Sequence, residues 1–359
     1  MILPKPINFK VERYIGGLSH FKKIINPIKL SANESALGPS PKAIKAIIKD
    51  KGKISKYPES DSNTLRKTLS KKFNIDQKRI ICGTGSDQIF DLTCRLFLEP
   101  RDEVIVTEFG FIMHRIYASI YKAKVILAKE KNFTASVNAI LKEVTNKTKI
   151  VFIANPNNPT GTYISKNEML NLRKKLRSDI LLVVDDAYCE FLTSKDFTSG
   201  LDLFKNSSNV LITRTFSKIY GLAGLRLGWG YSSKKIIDAM YQIKPPFNVN
   251  RIALAGGVEA IKDNEWTKRA IKYNTLWAKK IFIALRELNI KTNKPTANFF
   301  LMNFNKKKIG SDEIFKKLAT KKIILRKMKQ YKISNSLRLT IGNKKDNEHF
   351  IKSLRGIFK

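Results

Sequence analysis

Short apolar runs alternate with helix-like segments between about residues 79 and 231. The runs are brief and rich in β-branched residues, as buried parallel strands are; they read RIICGTG, EVIVTEF, KVILAK, KIVFIANP, ILLVVDDAY and NVLITRTF. Between several of them, segments such as SDQIFDLTCRLFLEP and SKNEMLNLRKKL carry apolar residues at helical spacing. This alternation predicts an α/β fold with a mostly parallel central sheet and helices on both faces.

A different pattern follows Pro245 and Pro246. Helical segments, including NEWTKRAIKYNTLWAKKIFIALREL, come first, and the strand-like runs NFFLMNF, KIILRKM and SLRLTIG come last. The pattern predicts a smaller α+β domain over residues 246–359, after a large α/β domain over residues 36–245. We expect residues 1–35 to form an N-terminal arm that joins the small domain.

Composition places the chain among globular proteins, because 43% of its residues are hydrophobic and 27% are charged. Lys and Arg number 68 against 30 Asp and Glu, which gives a net charge of +38. The basic residues are scattered, and no nucleic-acid-binding module is recognisable, so we expect no nucleic-acid partner. A basic regulator that binds nucleic acid is the alternative of another class.

The cysteines and the N-terminus bear on the compartment. Cys82, Cys94 and Cys189 are too few and too far apart for a disulfide framework or a zinc site. The opening segment MILPKPINFK has no long apolar stretch, and no run is long enough to cross a bilayer. We therefore expect a cytoplasmic protein without a bound metal or a membrane partner.

Polar residues follow four of the predicted strands, at the sheet edge where α/β proteins bind ligands. In CGTGSDQ, the amides of Gly85, Ser86 and Asp87 open a helix and would bind a phosphate. An ordinary glycine turn explains these residues equally well. In NPNNPTG, the side-chain amide of Asn158 could donate to an anionic oxygen, although a loop of turn residues explains the prolines.

The third strand end reads VVDDAY. Two acidic residues directly after an apolar strand are costly unless a cationic group meets them. Asp185 and Tyr188 lie three positions apart and could reach one ligand. A solvated strand end is the alternative, and it suits Asp186 better than Asp185.

The fourth strand end reads TFSKIYGLAGLRLGW and contains Lys218. An ordinary lysine has a pKa near 10.4, and desolvation and neighbouring cations lower it in imine-forming lysines. Thr215, Ser217 and Arg226 could together bind a phosphate. A surface lysine in a glycine-rich loop is the alternative. One ligand would use all four strand ends: an aromatic aldehyde that bears a phosphate, as pyridoxal phosphate does.

With LSANESALGPSP, YPES and SLRLTIGN, these motifs make the sequence resemble the fold-type I pyridoxal-phosphate aminotransferases over nearly the whole chain. The resemblance implies that pyridoxal 5'-phosphate binds Lys218 as an imine, with Asp185 at its ring nitrogen. Tyr188 and Asn158 would bind its phenolic oxygen, and Phe109 of VTEFGF would stack on its ring, although a lone Phe is more often core packing. The phosphate would lie among Gly85, Ser86, Asp87, Thr215, Ser217 and Arg226.

The resemblance also implies a homodimer with shared active sites, in which Tyr57 reaches the phosphate of the neighbouring subunit's cofactor. By itself, Tyr57 before a proline would be a turn residue. Arg338 would hold the anionic end of the substrate. Arg326 is a candidate for the phosphate of a second substrate, with a strand-edge charge as the alternative. Asn33 and Tyr14 would line the mouth of the site.

The reaction implied is transamination between L-glutamate and imidazole-acetol phosphate, giving L-histidinol phosphate and 2-oxoglutarate in histidine biosynthesis. Two segments differ from the family pattern, since NESA (33–36) stands where NENP is usual and the segment YIGGLS is also unusual. An aromatic-amino-acid transaminase and a threonine-phosphate decarboxylase on the same scaffold are therefore alternatives.

Overall fold

The computed structural model describes residues 11–18, 25–305 and 307–358. Its strands in chain order are β1 (Ile28–Leu30), β2 (Ile80–Gly83), β3 (Glu103–Thr107), β4 (Lys124–Ala128), β5 (Glu130–Lys131), β6 (Thr134–Ala135), β7 (Thr148–Ala154), β8 (Leu181–Asp185), β9 (Val210–Thr215), β10 (Gly228–Tyr231), β11 (Lys291–Thr292), β12 (Phe299–Asn303), β13 (Ile323–Lys327) and β14 (Ser336–Thr340). Its helices are α1 (Pro41–Asp50), α2 (Asn63–Phe73), α3 (Ser86–Phe97), α4 (Ile112–Ile120), α5 (Val137–Lys142), α6 (Lys166–Lys175), α7 (Gly200–Phe204), α8 (Lys234–Ile243), α9 (Arg251–Lys262), α10 (Asn264–Glu287), α11 (Ser311–Thr320) and α12 (Lys344–Ile357).

The larger sheet has the strand order β2-β10-β9-β8-β7-β3-β4. Its central pairs are parallel, and β10 runs antiparallel to both of its neighbours. Each of the six apolar runs of the sequence forms one of these strands, which confirms the predicted mostly parallel sheet. The sequence pattern does not predict β10, because two of its four residues are glycines, which weaken a strand.

Helices cover both faces of this sheet. On one face, apolar side chains of α3, α4 and α8 form a core with the strands, for example through Phe90, Ala118 and Met240. On the other face, α2, α6 and α9 contribute side chains such as Leu65 and Leu172. This arrangement confirms the predicted α/β class. None of the helices within the described ranges is long and apolar enough to span a membrane.

The smaller sheet has the order β1-β13-β14-β12-β11 and packs against α10, α11 and α12. Its strand β1 comes from the N-terminal part of the chain and pairs in parallel with β13. Helix α9 begins after the predicted domain boundary at residue 245, yet its apolar residues belong to the core of the larger sheet. The separate apolar core of the smaller sheet includes Trp277 of α10. The domain limits themselves stay a prediction.

Candidate active site

A cavity of about 520 Å³ lies where the carboxyl ends of β7, β8 and β9 face strand β14. Its walls bring together most of the polar residues that the sequence singles out. These are Tyr14, Asn33, Ser86, Asp87, Asn158, Asp185, Tyr188, Thr215, Ser217, Lys218, Arg226 and Arg338. Residues from four strand ends and from the N-terminal segment therefore share one site.

Lys218 follows strand β9 and projects into the cavity. Its Nζ lies 3.4 Å from the carbonyl oxygen of Ala32 and 5.7 Å from the centre of the Tyr188 ring. Burial, and then the positive charge of Arg338, lowers the pKa of Lys218 from 10.5 to about 8. A substantial fraction of this amine is therefore neutral and nucleophilic only slightly above neutral pH.

Asp185 ends strand β8 and is 4% exposed. Its Oδ1 accepts hydrogen bonds from the Ala187 amide at 3.2 Å and from the Thr213 hydroxyl at 3.3 Å. These bonds fix the plane of a buried carboxylate at the cavity wall. Such a group suits a cationic ring nitrogen, because a buried charge needs a partner.

His114 is a residue that the sequence analysis misses. It is buried on α4, and its Nε2 lies 3.6 Å from Asp185 Oδ2 with no hydrogen-bond partner among the described residues. Its ring stacks on Phe152 at 4.8 Å and meets Phe90 edge-on at 4.7 Å. The one signal in the sequence is a histidine among the apolar positions of α4 that are buried, which are Ile112, Ile116 and Ala118.

Asp186 differs from the expectation of a solvated strand end. It is 1% exposed, and its carboxylate accepts hydrogen bonds from the amides of Gly200 at 3.1 Å and Leu201 at 3.2 Å. Burial raises its pKa to about 7, even though the Arg214 charge opposes that change. Asp186 therefore anchors the start of α7 inside the fold and lies outside the cavity lining.

The residues predicted to hold a phosphate form a polar end of the cavity. Arg226 donates from Nη2 to Asp87 at 2.9 Å and from Nη1 to the Ser217 hydroxyl at 3.3 Å. Gly85 precedes α3 with φ +79°, and a Cβ on it would lie 2.6 Å from Arg226 Nη2. Among the described residues no side chain caps the first amides of α3, so they can serve an anion. The guanidinium, hydroxyl and amide groups can all donate hydrogen bonds to a phosphate, and Gly85 has no side chain that would fill the space between them.

Tyr188 and Asn158 are both buried at the cavity wall, and each accepts a hydrogen bond from a neighbouring side chain. The Tyr188 hydroxyl accepts a hydrogen bond of 2.9 Å from Asn33 Nδ2. The Asn158 Oδ1 accepts a hydrogen bond from Arg338 Nη1. Burial raises the pKa of Tyr188 to about 12, so its hydroxyl stays protonated and can donate at neutral pH.

The aromatic residue that is expected to stack on the cofactor ring, Phe109, lies outside the cavity lining. Phe109 packs against Phe133, with ring centres 5.4 Å apart, and does not line the cavity. Phe111, two residues later, lies in the lining instead. The physical reason is the turn after β3, in which the Gly110 amide bonds the Thr107 carbonyl at 2.9 Å. This turn directs the side chains of residues 109 and 111 to different sides.

Arg338 and Arg326 lie next to each other on the smaller sheet but differ in access. Arg338 lines the cavity and donates to the Ser31 carbonyl at 2.9 Å. Arg326 is 6% exposed, so it is no solvated strand-edge charge, and its guanidinium donates to the Ile15 carbonyl behind the lining. Tyr14, which lines the mouth, has its ring centre 5.8 Å from Arg326 Cζ.

Tyr57 lies outside the cavity of its own chain. It is 77% exposed, and its ring stacks on Phe247 with 4.5 Å between ring centres. The expected contact with a neighbouring subunit's cofactor stays a prediction.

Comparisons with known proteins show that the chain is similar to aminotransferases. The model of the aminotransferase class I and II family matches residues 25–354. The chain is 55% identical to the histidinol-phosphate aminotransferase of Pelagibacter ubique (strain HTCC1062) over the full length of both proteins. It is 39% identical to that of Paramagnetospirillum magneticum (strain ATCC 700264 / AMB-1), over 98% of this chain and 97% of that one.

A solved structure shows the same fold. The histidinol-phosphate aminotransferase from Sinorhizobium meliloti, crystallised in complex with pyridoxal-5'-phosphate, superposes with a TM-score of 0.84 at 23% identity. The superposition covers 91% of this chain and 90% of that one. With the family match and the full-length relatives, it leads to one conclusion: the chain belongs to the aminotransferase class I and II family.

Proposed function

We propose that this protein transfers the amino group of L-glutamate to imidazole-acetol phosphate, giving L-histidinol phosphate and 2-oxoglutarate in histidine biosynthesis. The observation that carries the proposal is the convergence of Lys218, Asp185 and Arg226 on one cavity. The chain's identity over its full length to histidinol-phosphate aminotransferases favours this substrate within the family.

The cofactor of this reaction is pyridoxal 5'-phosphate, which supplies an electron sink for the carbon that loses its proton. Arg226 and Ser217 would hold the phosphate at the polar end of the cavity, and Asp185 would keep the ring nitrogen protonated. Tyr188 and Asn158 would donate to the phenolic oxygen. Phe111, and not Phe109, would cover the ring, because Phe111 is the one of the two in the lining.

Lys218 performs the proton transfer in this proposal. Its Nζ would hold the cofactor through the aldehyde group, and the free amine would take the proton from the substrate carbon and return it. A pKa of about 8 suits both tasks, because the amine is neither fully protonated near neutral pH nor too weak a base. Burial is the main cause of this lowered pKa.

Two arginines would select the substrates. Arg338, at the cavity wall, can meet the glutamate carboxylate with two parallel hydrogen bonds. Arg326 and Tyr14 would meet the phosphate of the other substrate, once the arm carbonyl of Ile15 gives way. The same mouth can then serve a carboxylate in one half-reaction and a phosphate in the other.

We also propose a cytoplasmic homodimer, in which Tyr57 reaches the partner's cofactor phosphate. The exposed stack of Tyr57 on Phe247 supports this, since large exposed aromatic groups mark interaction sites. Within each subunit, the N-terminal arm would join the small domain, as the pairing of β1 with β13 supports.

A substrate comparison tests the proposal. The purified protein is assayed with histidinol phosphate, phenylalanine and threonine phosphate, each with 2-oxoglutarate. We expect kcat/KM for histidinol phosphate to exceed that for phenylalanine by at least about 100-fold. Phenylalanine has no phosphate and therefore cannot form the charged hydrogen bonds that this group would make. Turnover of phenylalanine alone, or decarboxylation of threonine phosphate, would overturn the substrate assignment.

A further inference from the structure

Asn33 lines the cavity beside Tyr188. It is 1% exposed, and its backbone adopts φ +54°, a left-handed conformation that asparagine tolerates. All of its polar groups are bonded within the chain, so little of it is left for a substrate. The carbonyl oxygen accepts from Asn298 Nδ2 at 3.1 Å.

The side-chain amide of Asn33 is oriented by Thr340 on strand β14. The Thr340 hydroxyl donates to Asn33 Oδ1 at 3.2 Å and accepts from the Asn33 backbone amide at 2.9 Å. With Oδ1 facing Thr340, the Nδ2 group faces Tyr188, to which it donates at 2.9 Å. Because all three residues are buried, this chain of bonds is shielded from competing water.

The direction of these hydrogen bonds determines whether the Tyr188 hydroxyl donates or accepts. A hydroxyl has one proton and two acceptor sites, and Asn33 occupies an acceptor site. Within the described part of the chain the Tyr188 proton has no acceptor, so it remains available for a ligand in the cavity. An amide oxygen or a carboxylate at the position of Asn33 Nδ2 would capture that proton instead.

We propose that Asn33, oriented by Thr340, is a positioning residue that makes the Tyr188 hydroxyl a donor to the cofactor's phenolic oxygen. This inference rests on the proposed function. Arg338 and Thr340 lie two residues apart and therefore face the same side of β14. Since Arg338 donates to Asn158, one strand orients both donors of the ring oxygen.

The test is the pH titration of the visible absorption band of the holoprotein. A donor to the phenolic oxygen favours its deprotonated form and so lowers the pKa of the Lys218–cofactor linkage. In Asn33→Asp the carboxylate accepts the Tyr188 proton, and we expect the titration midpoint to rise by roughly one pH unit or more. Thr340→Val should shift it in the same direction without adding a charge, and Thr340→Ser should restore the wild-type midpoint.

Ser336→Ala is the matched control, because Ser336 is on the same face of β14 and its hydroxyl donates to Ser334 instead. It should leave the midpoint unchanged. Fluorescence titration of the apoproteins with cofactor gives a second readout, in which Asn33→Asp and Thr340→Val bind several-fold more weakly. Circular dichroism shows which variants fold. If Asn33→Asp does not fold, the titration of Thr340→Val alone tests the proposal.

The possible results separate the two proposals. A wild-type protein without a visible band would contradict the proposed function. A normal wild-type band with an unshifted midpoint in a folded Asn33→Asp or Thr340→Val variant would overturn the positioning role alone.

Discussion

Arg326 and Arg338 are direct cross-strand partners on β13 and β14, and both are buried. Like charges opposite each other in a sheet are unfavourable. Backbone carbonyls of the N-terminal segment partly compensate, since Ile15 accepts from Arg326 and Ser31 from Arg338. This pair concentrates positive charge beside the cavity, where an anionic substrate would relieve the repulsion.

The two arginines should differ in the half-reaction that they affect most. Arg338→Lys keeps the charge but loses the planar fork, and we expect kcat/KM for glutamate to fall roughly 10- to 150-fold. Arg326→Met should lower kcat/KM for histidinol phosphate by a similar factor and leave the glutamate half-reaction nearly unchanged. Stopped-flow measurement of each half-reaction checks this. An equal loss in both half-reactions for Arg326→Met would contradict the assignment.

Phe111 and Phe109 form a matched pair for the ring contact. Phe111→Ala should weaken cofactor binding roughly 2- to 12-fold, the size of one stacking contact. Phe109→Ala removes a contact with Phe133 and should lower the free energy of unfolding by about 1–2 kcal/mol, with cofactor affinity almost unchanged. Equilibrium binding and urea denaturation separate these effects. Weaker cofactor binding in Phe109→Ala, with normal binding in Phe111→Ala, would assign the ring contact to Phe109 instead.

The lowered pKa of Lys218 predicts a pH-dependent stability of the apoprotein. Above about pH 8 the folded protein loses this proton, while the unfolded chain keeps it until about pH 10.5. Because the unfolded state then binds more protons, rising pH favours the folded state across this window. The free energy of unfolding of the wild type, relative to Lys218→Met, should therefore increase from pH 8 to 10. A constant difference would mean that Lys218 titrates normally.

Tyr57 offers a complementation test of the shared site. Tyr57→Ala should weaken cofactor binding, and Lys218→Ala should abolish activity. In a refolded equimolar mixture, half of the dimers are mixed, and each mixed dimer holds one complete site. We expect about one quarter of the wild-type activity at limiting cofactor. Activity no higher than that of the separate variants would contradict the sharing of residues between subunits.

Sequence patterns predict the fold well where the information is local. The six β-branched runs become strands, and the polar residues after them, such as Asp185 and Lys218, meet because parallel strands end at one edge. Family motifs add residues that no local pattern explains, such as Arg338.

The remaining features depend on contacts between distant segments or on the course of a turn. After the tight turn that follows β3, Phe111 lies in the cavity lining and Phe109 does not. Asp186 is buried where the first amide of α7 donates to its carboxylate. His114 of α4 lies next to Asp185 at the end of β8. Asn33 and Thr340 are 307 residues apart, so no spacing rule could join them.

The most direct measurement is mass spectrometry of the borohydride-reduced holoprotein after proteolysis. The account predicts one cofactor adduct, on the peptide that contains Lys218, and no adduct or visible band in Lys218→Ala. An adduct on another lysine, or none in a protein that still catalyses the transfer, would contradict it.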